Sequence, residues 1–74
     1  MKTRKEILAK VEELGFMEGD PVEVEACNLL LDIAGRDART DITEEMVEVM
    51  LEGEEQAGPV AVQAAELVRK FFNS

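Results

Sequence analysis

The apolar positions of this chain recur at intervals of three and four, and glycines and prolines cut them into four blocks. Ile7, Leu8, Val11 and Leu14 make the first. Thr3 and Glu6 precede them at capping-box spacing, where hydroxyl and carboxylate each satisfy an orphan backbone N–H. Gly15 supplies the stop, because glycine enters the left-handed cap conformation without a Cβ penalty. The second block opens with Asp20 as a cap, Pro21 at the first helical position and Glu23 completing another box, and it runs to Gly35. A polar loop, Arg36 to Thr40, follows. Asp41 or Thr43 then caps a third helix, with Ile42 placed to staple against Val47 if Thr43 is the cap. Ile42, Met46, Val49 and Met50 form its expected inward stripe; Gly53 weakens it and Gly58-Pro59 ends it. The last block carries Val60, Ala64, Leu67, Val68 and Phe71 on one face, with Gln63, Glu66 and Lys70 opposite. No segment alternates apolar and polar residues long enough for a strand. The pattern predicts an all-α chain, a small compact bundle of about four short helices, in one domain over 1–74. The expected helices are 3–15, 21–34, 42–57 and 60–72.

The second helix has an unusual section. Val22, Ala26, Leu29, Leu30 and Ile33 form its main stripe, with Cys27 and Ala34 at the flank. At 100° per residue, Val24 and Leu31 fall nearly opposite, leaving Glu25, Asn28 and Asp32 on a narrow polar edge. Such a helix is either central in its bundle or covered by another subunit, with Val24 and Leu31 as the oligomer contact.

Composition narrows the chemistry. The 74 residues hold 17 acids, 8 bases, no histidine and one cysteine, with a net charge of −9. One cysteine rules out a disulfide scaffold, and a Cys/His zinc site lacks its ligands. Direct nucleic-acid binding needs a basic surface or stacking aromatics, whereas the aromatics are Phe16, Phe71 and Phe72 and the balance is acidic. No apolar run reaches the length of a membrane span, and no signal-like segment follows the basic start. With a lone thiol, this leads to the expectation of a cytoplasmic protein, in the host cytoplasm if virus-encoded.

The charge is unevenly spread. Residues 1–11 carry +3, residues 12–55 carry −13, and residues 56–74 carry +1. On the third helix, Glu44, Glu45, Glu48, Glu52 and Glu55 wind into a sector of about 100° with no base among them. Glu44–Glu48 and Glu48–Glu52 are repulsive pairs four apart, each costing a few tenths of a kcal/mol. Glu52 and Glu55 also sit toward the helix end that disfavours negative charge. Val47 and Leu51 border this ridge, and carboxylates beside exposed aliphatics read as the edge of a docking surface for a basic partner. The plainer alternative is a solvated acidic face that serves solubility.

Other chemistry finds little support. Asp37 to Ile42 is acidic but offers no calcium-loop setting of glycine and closing glutamate, and a di-iron bundle site needs histidine. Cys27 lies inside an apolar helix with no cation near it in sequence, so it reads as an inert buried thiol. Neither a phosphate-cradling loop nor an acid–base pair is visible, and no cofactor or metal is expected; the chain reads as a non-enzyme.

Glu13-Leu14-Gly15-Phe16 before a helix, then Asp41-Ile42 opening another that ends in Met50-Leu51, resembles the ubiquitin-associated family. That family is a three-helix module with a Gly-Phe-type first loop. The likeness spans residues 13–51, and the chain departs from it by the connection through Gly19-Asp20-Pro21 and by a fourth helix.

Two functions remain in view. One is a small acidic protein that binds another protein through its electronegative helix, as an inhibitor mimicking nucleic acid would block a basic groove. Small acidic inhibitors of restriction or CRISPR enzymes from viruses and mobile elements share that charge and size. The other is a helical adaptor, ubiquitin-associated-like, or a homodimer, using Val24, Leu31 and Leu51 on an apolar face.

Overall fold

The computed structural model describes residues 2–15, 18–35 and 43–74. It contains four α-helices, α1 (Arg4–Glu13), α2 (Pro21–Ala34), α3 (Glu44–Glu54) and α4 (Pro59–Phe72), with a 3₁₀ turn at Glu55–Ala57. No strand occurs among the described residues. The starts are those the capping chemistry dictates. Thr3 Oγ1 accepts from the Glu6 N–H at 3.2 Å, and Glu6 Oε1 accepts from the Thr3 N–H at 3.2 Å. The Asp20–Glu23 box repeats this at 2.9 and 3.3 Å, with Pro21 following as the first helical residue. Thr43, rather than Asp41, caps α3 by accepting from the Met46 N–H at 3.2 Å. The Ile42 staple, the loop 36–40, the acidic run 37–42 and Phe16 lie outside the described residues. Gly15 follows α1 at φ +82°, a conformation that costs other residues a Cβ clash.

α2 is the central element. It buries Ala26, Cys27, Leu29, Leu30, Ile33 and Ala34 and packs against both α1 and α4. Around it gather Ile7 and Val11 of α1, Val47 and Leu51 of α3, and Ala64, Ala65 and Val68 of α4. The Cys27 thiol lies in this core, 3.8 Å from the Val11 carbonyl it donates to. The radius of gyration is 11.3 Å, as a compact chain of this length requires. No helix among the described residues is long and apolar enough to cross a membrane.

α3 sits rotated from its expected face, and α4 keeps Ala64, Leu67, Val68 and Phe71 on the core side but turns Val60 outward. In α3, Val49 was expected inward and is 64% exposed, whereas Val47 and Leu51, expected at the surface, are 4% and 0% exposed. The helix carries two apolar stripes, Val47–Leu51 and Met46–Val49–Met50, and the position of α4 selects the first. In α4, Val60 is 42% exposed and the buried face is Ala61, Ala64, Ala65 and Val68. Small side chains let α4 lie close to α2, so closeness of approach overrides hydropathy in choosing that face.

Candidate functional site

The Thr43 cap and Glu44 and Glu45 in the first turn begin α3 in agreement with its dipole. Burial of Val47 and Leu51 then orients the rest of the helix. Because these two point inward, the acidic sector divides. Its inner edge, Glu48 and Glu55, turns toward α4, and its outer edge, Glu45 and Glu52, turns to solvent.

Arg69 of α4 meets the inner edge. Its Nε donates to Glu48 Oε1 at 2.9 Å, and Nη2 lies 2.7 Å from the same oxygen. Nη1 pairs with Glu55 Oε1. The hydrogen bonds that Arg69 donates to Glu48 and Glu55 raise its pKa further, holding the guanidinium protonated. One base from a distant helix thus neutralises part of the ridge. Glu44, Glu45 and Glu52 remain exposed and pair with no base among the described residues.

The N-terminal bases act elsewhere. Lys2 pairs with Glu6 at 3.9 Å and Lys10 with Glu13 at 3.3 Å. Both ammonium groups also lie over the Phe71 ring, at 5.2 and 6.0 Å from its centroid, within cation–π range. They fasten α1 to the end of α4 and leave α3 untouched.

On the side of α3 facing α2, half-buried Glu54 meets another carboxylate. Its pKa is raised by a hydrogen bond with Glu25, then by burial and by the charges of Glu25 and Asp32. The polar edge of α2 therefore adds to the negative field around α3. Among the described residues, no group of three or more potential metal ligands comes together.

The outward face of α3 is mixed. Glu45, Met46, Val49 and Met50 line a shallow groove, and Val49 is the most exposed of the large apolar side chains described. Gly53, one turn beyond Val49, has a helical φ, and a Cβ added there would meet nothing within 4 Å. The fold itself does not require glycine at that position. A separate cleft between α3 and α4, lined by Glu44, Val47, Glu48, Arg69, Phe72 and Asn73, holds about 80 Å³. That is well below the ~300–1,000 Å³ of small-molecule sites.

No family model matches the chain, and no curated protein or solved structure does either. The surface must be read from its own chemistry. Of the residues named from sequence, the structure keeps Glu44, Glu45, Glu48 and Glu52 exposed on one helix and leaves Glu55 half-buried beside Arg69. Val47 and Leu51 are removed from the surface, because they anchor α3 to the core. Val24 and Leu31 are half-buried on α2, with Leu31 packed against the core cluster. Sequence reasoning missed Arg69 and Val49. Arg69 stands 21 positions from Glu48, a separation at which no local spacing rule speaks. The misassigned Val49 could have been found by testing α3 for its second apolar stripe.

Proposed function

We propose that this chain is a non-enzymatic protein-binding module whose electronegative α3 surface occupies a basic patch on another protein. The observation that carries this reading is the exposed set Glu44, Glu45 and Glu52, which pairs with no base among the described residues even after Arg69 has been taken up by Glu48 and Glu55. Glu44 and Glu45 at the head of α3 stand about 10–12 Å along the helix axis from Glu52. They present negative charge along one helix to lysines and arginines of the kind that otherwise receive phosphates, so the module would block such a groove by occupying it. The raised pKa of Glu54, from its hydrogen bond with Glu25, then burial and the charges of Glu25 and Asp32, supports the reading, since ionising that carboxyl costs stability.

The test is capture of partners from native cell extract by the wild-type chain and by the Glu44→Gln/Glu45→Gln/Glu52→Gln variant, at low and high salt. Glu48 and Glu55 are left intact so that the Arg69 contacts survive. The expected result is a partner with a basic surface that is held at low salt, released at high salt and lost with the variant. Retention of the same partner by the variant, independent of salt, would overturn the proposal.

A further inference from the structure

Resting on that reading, we infer that the outward face of α3 receives a cationic amphipathic helix from the partner, rather than a purely polar basic surface. Solubility explains carboxylates; the apolar part of this face is Val49, 64% exposed, in one groove with Met46 and Met50 beside Glu45. At 100° per residue Val49 points directly away from the Val47–Leu51 anchor, with Glu45 and Glu52 on one flank and half-buried Met46 and Met50 on the other. Methionine adapts its shape to an incoming side chain. Gly53 lies in line with Val49, and its open Cβ position lets another backbone approach closely where this fold has no steric need of glycine.

Charge complementarity selects the occupant. A helix entering this groove meets an apolar strip bordered by Glu45 and Glu52, so it must carry an apolar ridge with lysine or arginine beside it. A second copy of this chain is a poor fit. It carries a net charge of −9, and a two-fold contact across α3 would bring the Glu45 and Glu52 carboxylates of the two copies together.

The probe is a synthetic leucine–lysine peptide patterned as an amphipathic helix, with an isomer of identical composition whose pattern is scrambled. Binding to the full chain is followed by fluorescence anisotropy at several salt concentrations. The amphipathic peptide is expected to bind about tenfold or more tightly than its isomer. Val49→Asp should abolish that difference while the far-UV circular dichroism stays helical. Gly53→Ala should weaken the amphipathic peptide several-fold although it raises the melting temperature, a combination that a purely structural role cannot produce. Glu45→Gln/Glu52→Gln should weaken both peptides and flatten the salt dependence. Equal binding of both peptides, unmoved by Val49→Asp, would overturn the helix-in-groove inference and leave the electrostatic reading standing. Failure of both peptides at low salt would sink the electrostatic reading itself. Sedimentation showing self-association that Val49→Asp disperses would assign the face to a second copy and overturn the inference.

Discussion

Replacing Arg69 by methionine separates stability from binding in a way that the α3–α4 geometry dictates. Methionine keeps the long stem and the helix propensity and removes the guanidinium. What is lost is the contact of Arg69 with Glu48 and Glu55, whose side chains are 49% and 33% exposed against 27% for Arg69. Exposed ion pairs contribute about 0.2–1 kcal/mol each, and two on one planar group place the loss at about 1–1.5 kcal/mol. For a domain of this size that is a fall of ~5–10 °C in Tm. The assay is urea and thermal unfolding followed by circular dichroism at 0.05 and 1 M salt. The gap between wild type and variant should close at the higher salt, where the screening length falls to about 3 Å. A double-mutant cycle with Glu48→Gln should recover part of the loss as coupling. Binding should move oppositely: with Glu48 and Glu55 released, the folded variant presents a more negative ridge and holds a cationic peptide more tightly. A loss under about 0.3 kcal/mol with no salt dependence would refute the view that Arg69 clamps α3 to α4.

Four further measurements bear on the same picture. Leu51→Ala should cost about 2–4 kcal/mol by unfilling the core, whereas Val49→Ala should cost under about 0.5, and the reverse order in urea unfolding would show that α3 is turned the other way. Gly53→Ala should stabilise the fold by about 0.5–1 kcal/mol, since the new methyl meets no neighbour, and an unchanged or lower Tm would contradict the open site. The raised pKa of Glu54 means that its contribution is fully present below 4.5 and is lost as pH rises through the folded value. Glu54→Gln should therefore raise Tm at pH 7 and lose that advantage near pH 4, and a pH-independent effect would exclude the Glu54–Glu25 contact. The pKa of Glu6 is lowered, chiefly by its hydrogen bond with the Thr3 backbone, so its contribution is present above 4.5 and fades as pH falls through the folded value. Glu6→Gln should lower Tm at pH 7, with the deficit shrinking in acid; a deficit that persisted unchanged at pH 3 would point away from the cap.

What the sequence determined by itself is local. Thr3–Glu6 and Asp20-Pro21-Glu23 start helices through contacts three residues apart, the third start was narrowed to Asp41 or Thr43, and Gly58-Pro59 separates the last two. These interactions close within one turn and need no knowledge of the rest of the chain, so the helix number and the all-α class were legible from residue order, whereas residue order left α2 either central in the bundle or covered by another subunit. Which stripe of α3 points inward, and whether Val60 or Ala61 closes the buried face of α4, was decided only in the tertiary structure. Both stripes of α3 satisfy helical period, and Val60 outranks Ala61 in hydropathy, yet burial follows how closely a neighbouring helix approaches. The acidic ridge was likewise legible as a sector, but its division was not, because Arg69 reaches Glu48 across 21 residues of chain. Spacing rules carry information over one or two turns, whereas the direction a helix faces is set by partners that folding alone brings beside it.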